Sequence, residues 1–176
     1  LTESGKWIRL YPLSFRYIDF DRRFSKYQWI NVEIEKRPPE KDFRVDSYQP
    51  KCETIKLIDK PLPAGDWIAR KKIILPTIFK SMEEITSLYN KYKISLGIIK
   101  PKKILKLIIE EGDKTWKSSQ QKILSQQVLF EHQPKELEKM PFKFSYQFLC
   151  EDLKCKGHTM QIIDWELYEL YRHMKE

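Results

Sequence analysis

The chain has 176 residues, 41% hydrophobic, 13% aromatic and 33% charged, with a net charge of +8. That length suits a single domain with its own buried core, and the aromatic content excludes a disordered polymer. No apolar run approaches the length of a membrane-spanning helix, so no transmembrane span is expected in these residues.

The first residues are polar and carry no signal-peptide pattern. Three cysteines, an odd number, argue against a disulfide framework and for a reducing compartment, the cytoplasm. The charge is unevenly spread: residues 61–125 carry 13 basic and 6 acidic side chains, residues 126–176 only 7 and 9. A local excess points to a face that meets polyanions. A lysine-rich solvated surface without a partner is the duller explanation.

Glu3-Ser4-Gly5-Lys6 reads as a hairpin turn and Trp7–Tyr11 as the strand leaving it. Only Leu1 and Thr2 precede that turn and there is no initiator Met, so the expectation is a fragment lacking a leading strand. Phe15-Arg16-Tyr17 leads into a charged loop in which Arg22, Arg23 and Lys26 alternate with Phe24 and Tyr27. Tyr27–Glu35 reads as a second strand, ended by Pro38-Pro39. A polar loop follows, containing Asp42, Arg44, Asp46, Ser47 and Tyr48, and then a short strand over Glu53–Ile58.

Helices are expected next: Trp67–Leu75 with Asp66 as cap, and a second that opens on the capping box Ser81-Met-Glu-Glu84 and ends near Lys93. Met82, Ile85, Leu88, Tyr89 and Tyr92 form the stripe that this second helix would bury. Ser95–Ile99 and Lys103–Ile109 read as strands around Lys100-Pro101-Lys102. A helix over Trp116–Gln127, an extended Val128–His132 and a Pro134–Pro141 linker complete the middle.

The last stretch carries the sharpest signal. Phe142, Phe144, Tyr146 and Phe148 alternate as in a half-buried strand, which runs into Cys150-x4-Cys155-x2-His158. A tight turn there can bring two thiolates and an imidazole to one point, and zinc takes four such ligands in a tetrahedron. Cys52, His132, His173, Asp152 and Asp164 are the candidates for a fourth ligand, with Cys52 and His132 favoured. Asp164 caps a final helix over Trp165–Met174. Two small buried thiols and a loop histidine are the alternative reading, and a zinc holding a catalytic water is a third.

Strands early, helices in the middle, then strands and a helix do not alternate as βαβ units do. The expected class is α+β: a mostly antiparallel sheet or small open β-barrel with helical insertions and a C-terminal strand–knuckle–helix unit. The expected organisation is one domain over 1–176, with 142–176 as a zinc-knuckle unit within it.

Several pieces together carry a resemblance: Gly5-Lys-Trp-Ile-Arg-Leu-Tyr-Pro12 with Phe15-Arg16, Tyr27-Gln-Trp29, Asp46-Ser-Tyr48, Ser95-Leu-Gly97 with Lys100-Pro101, and Cys155-Lys-Gly-His158 before Asp164-Trp-Glu166. They resemble a bacterial family of cytoplasmic proteins with no assigned biochemical activity. The resemblance spans nearly the whole chain. It implies a single unit and gives neither reaction nor substrate.

No glycine-rich phosphate loop and no serine nucleophile elbow can be written. A Cys155–His158 nucleophilic pair lacks a third, orienting group. A nuclease site could draw on Asp42, Asp46, Glu53 and Lys56, though such combinations arise by chance in so charged a chain. Nucleic-acid binding has the broader basis. Lys91, Lys93, Lys100, Lys102, Lys103 and Lys106 fall within sixteen residues, and a handful of lysines is enough for sequence-independent affinity. Tyr27, Trp29 and Tyr48, beside Arg22, Arg23, Lys26 and Arg44, could stack on unpaired bases, or could simply be core. The expected function is therefore a DNA- or RNA-binding domain with a basic face and a structural zinc knuckle, working with partner proteins in a larger assembly. The alternatives are a metal-dependent enzyme of nucleic-acid or nucleotide chemistry and a protein–protein adaptor.

Overall fold

The computed structural model describes residues 1–13, 15–65, 67–121 and 138–175. The chain divides into two compact units, Leu1–Lys100 and Pro101–Glu176.

The first unit is built from short strands. β1 (Arg9–Leu10), β2 (Ile30–Asn31), β3 (Ile34–Lys36), β4 (Ser47–Pro50) and β5 (Lys56–Leu57) make a three-stranded sheet in the order β1-β4-β3 and a β2–β5 pair. The strand expected over Tyr27–Glu35 is split, and Glu33 is where it breaks. Its N–H donates to Thr54 Oγ1 at 2.9 Å and its carbonyl accepts from Lys51 N–H at 2.9 Å. With both backbone groups taken by the 51–54 turn, the chain leaves β5 and joins β4. α1 (Ile68–Ile74), β6 (Ile78–Phe79), α2 (Met82–Tyr92) and β7 (Ile98–Ile99) follow, and β6 and β7 pair in parallel. Asp66, the expected cap of α1, lies outside the described residues.

α2 begins and ends where its sequence says. Ser81 Oγ accepts Glu84 N–H at 3.2 Å, and the Glu84 carboxylate accepts Lys80 N–H at 3.0 Å. Lys93 closes it in the left-handed conformation, φ 60°, its N–H donating to Tyr89 O. Its expected stripe is half-buried at Met82, Ile85 and Leu88, while Tyr89 and Tyr92 are exposed.

The loop between β3 and β4 is a clasp. The buried carboxylate of Asp46 accepts Ser95 N–H at 2.6 Å, Ser95 Oγ–H at 2.9 Å and Leu96 N–H at 2.9 Å. This ties the segment after α2 to the first sheet. Asp42, also buried, accepts from Arg44 Nε at 2.7 Å, Arg44 Nη2 at 3.1 Å and Ser47 Oγ at 2.7 Å. These donors, Arg44 foremost, hold its carboxyl well below the usual carboxylate range against the opposing cost of desolvation.

The second unit is a single antiparallel sheet under a helix. β8 (Lys103–Glu111), β9 (Phe142–Leu149) and β10 (His158–Gln161) lie in the order β10-β9-β8, and α3 (Trp165–Lys175) follows. Phe142 and Phe144 meet Tyr171, and Phe144 also meets Tyr168, with ring centroids 5.4–6.1 Å apart. Burying Phe144 and Phe148 contributes roughly 1.5–3 kcal/mol each. Asp164 Oδ1 accepts Glu166 N–H at 3.1 Å, the expected cap. The expected helix over Trp116–Gln127 is described only as far as Gln121, and the expected extended Val128–His132 lies outside the described residues.

The fold is α+β with mostly antiparallel pairing. Among the described residues the strands form four small sheets, and none closes into a barrel. No described helix is long and apolar enough to cross a membrane.

Candidate metal centre and basic surface

β9 delivers Cys150 to the end of the sheet, where it is 1% exposed. The turn that follows is held by Asp152, whose Oδ1 accepts Lys154 N–H at 2.9 Å and whose carbonyl accepts Cys155 N–H at 3.1 Å. Gly157 then takes φ +97°, a conformation that a side chain would strain. That reversal lets His158 start β10 directly opposite Phe148, with the two rings 5.7 Å apart.

The result is a cluster. The ligand atoms of Cys150, Cys155 and His158 all lie within 4.8 Å of one another. A zinc tetrahedron with ordinary bond lengths spaces its donors by about 3.5–3.8 Å, so the triad, within 4.8 Å, is at most about 1.3 Å wide of closure. The Cys150 N–H also donates to Cys155 Sγ at 3.2 Å, so the backbone is folded around that sulfur. Two thiols and an imidazole suit a borderline-soft divalent ion. This is a geometry compatible with a metal.

Among the described residues the group has these three members. Asp152 serves the turn and Asp164 caps α3. His173 is exposed on α3, Cys52 lies in a 3-10 turn of the first unit, and His132 is outside the described residues. Asp42 and Asp46 are engaged in the clasp, and among the described residues neither joins a metal-type group.

The expected nucleic-acid residues divide between the two units. In the first, Arg22 pairs with Asp19 at 3.4 Å, Arg23 Nε donates to Ile18 O at 2.8 Å, and Arg44 is bound to Asp42. Tyr48 sits in the central strand β4, half-buried, with Lys36 Nζ 4.9 Å from its ring centre. Lys91 and Lys93 lie over the rings of Tyr92 and Tyr89 at the end of α2, and Lys100 is exposed where the unit ends.

The second unit holds Lys102, Lys103 and Lys106, all exposed. Lys103 is opposite Leu149, and Lys102 N–H donates to Leu149 O at 2.8 Å. Leu149 immediately precedes Cys150, so these lysines stand at the knuckle end of the sheet. The knuckle loop adds the exposed Lys154 and Lys156, which the sequence reading passed over although they flank Cys155 directly.

A family model described as Domain of unknown function (DUF8757) matches residues 78–176, more than half of the chain. The chain belongs to that family. A second model, Domain of unknown function (DUF8758), matches residues 1–76. The boundary between the two matches falls within the first compact unit, ahead of the segment that the Asp46 clasp holds. No curated protein matches the chain, and no solved structure matches it.

Proposed function

We propose that this chain binds nucleic acid through a lysine-bearing surface of its C-terminal unit, and that a zinc ion on Cys150, Cys155 and His158 fixes that surface. The observation that supports this reading is the β8–β9 register, with Lys103 opposite Leu149 beside the metal-type cluster. Lys102, Lys103, Lys154 and Lys156 then carry four positive charges around one sheet end, against the two acids Glu151 and Asp152 of the knuckle loop. Two thiolates neutralise the ion's own charge, so the attraction for phosphate falls to the lysines. The fourth zinc position goes to a donor outside the triad, protein or water. A reducing compartment such as the cytoplasm keeps both thiols available to the ion.

The test is fluorescence anisotropy with labelled single- and double-stranded DNA and RNA over a range of salt. Affinity should fall linearly on logarithmic axes. In the double variant Lys102→Glu/Lys103→Glu that slope should drop by about two, one for each lost phosphate contact. An unchanged affinity and slope would remove the reading.

A further inference from the structure

Among the described residues β8 is an edge strand, its ladder with β9 alone. On the face shared with Phe144 and Tyr146, its Leu107 and Ile109 are 47% and 58% exposed. A long edge with apolar side chains is a template for another strand.

We propose that two copies of this chain pair antiparallel through β8, about a two-fold axis at Ile108, giving one continuous six-stranded sheet. The inference is independent of nucleic-acid or metal binding, and the register decides it. Directly opposed residues of an antiparallel pair share a face, so a two-fold axis normal to the sheet must lie midway between the two copies of one residue. The irregularity between Ile104 and Lys106 breaks the alternation and limits regular pairing to Lys106 and beyond.

With the axis at Ile108, Lys106 meets the partner's Glu110 and Leu107 meets the partner's Ile109, each twice by symmetry. An axis at Leu107 would set Lys106 against an isoleucine. An axis at Ile109 would set Ile108 and Leu107 against glutamates. Only the first register matches charge with opposite charge and apolar with apolar. The rows behind it agree. Lys106 continues into Gln147 and Thr159, with no acid, whereas Glu110 is opposite Lys143. In the pair each Glu110 lies between two lysines, and each Lys106 gains the acid that its own row lacks.

Sedimentation equilibrium of the full chain over a wide concentration range tests this. The native chain should be a dimer. Lys106→Glu and Glu110→Lys should each weaken association at least tenfold while their circular-dichroism melting curves stay native. An equimolar mixture of the two variants should dimerise again, because each glutamate then faces a lysine, one pair in the native sense and the other reversed. A monomeric native chain, single variants that stay dimeric, or a mixture that stays monomeric would each overturn the proposal. If either single variant melts early, the doubly exchanged Lys106→Glu/Glu110→Lys chain replaces the mixture, and it must be a dimer.

Discussion

The amide of Cys150 donates to the sulfur of Cys155 across 3.2 Å, closing the four-residue turn between them. The strand end is thereby wrapped around one ligand sulfur, and the reversal at Gly157 brings in His158. Sheet, turn and donor set form one unit, so changes to the turn should be felt both in stability and in metal affinity.

Gly157→Ala tests that coupling without removing a donor. At φ +97° an alanine costs about 1–2 kcal/mol. The added Cβ meets no atom closer than 3.7 Å, so the penalty is conformational. Zinc affinity measured by competition with a chelating dye should fall together with the melting temperature of the second unit. Unchanged affinity would separate the turn from the site.

Asp46 should be the costliest acid to remove from the first unit. Asp46→Ala leaves Ser95 N–H, Ser95 Oγ and Leu96 N–H without their acceptor, at a loss of about 2–3 kcal/mol in urea unfolding. A loss within experimental error would show the clasp to be incidental.

Asp42 makes the first unit acid-sensitive. Arg44, then Ser47, depress its folded-state pKa, so its stabilising contribution is fully present above the unfolded value near 3.8 and fades as pH falls below it. Asp42→Asn should therefore be less stable than the native chain at neutral pH, with the gap closing in acid below about pH 4. A gap of constant size across that window would contradict the assignment.

What could be read from the sequence was local. The Cys150-x4-Cys155-x2-His158 spacing, the Ser81 and Asp164 caps and the strand over Phe142–Phe148 each depend on residues a few positions apart, and each has its counterpart in the structure. The expected buried face of that strand is broken at Tyr146, which is exposed, while Ser145 is buried. What could not be read depended on remote partners. Glu33 breaks its strand because Thr54 and Lys51 claim its backbone. Asp42 and Asp46 resemble metal ligands in a list of residues, yet their neighbours in space are Arg44, Ser47 and the Ser95 loop. Tyr48 reads as a loop residue, yet it lies in the central strand β4 between β1 and β3, with Lys36 over its ring. The lysine run from 91 to 106 crosses the boundary at Lys100, which no charge count reveals.

The measurement that bears most directly on this account is the metal content of protein purified without chelator, followed by its response to zinc removal. The account predicts one zinc per chain. It also predicts that a chelator, or Cys150→Ala, destabilises the C-terminal unit strongly, because the ion's binding free energy is part of that unit's folding free energy. Protein that contains no stoichiometric metal, and that melts identically with and without chelator, would contradict it and leave Cys150 as a buried thiol of the core and Cys155 as a half-buried one.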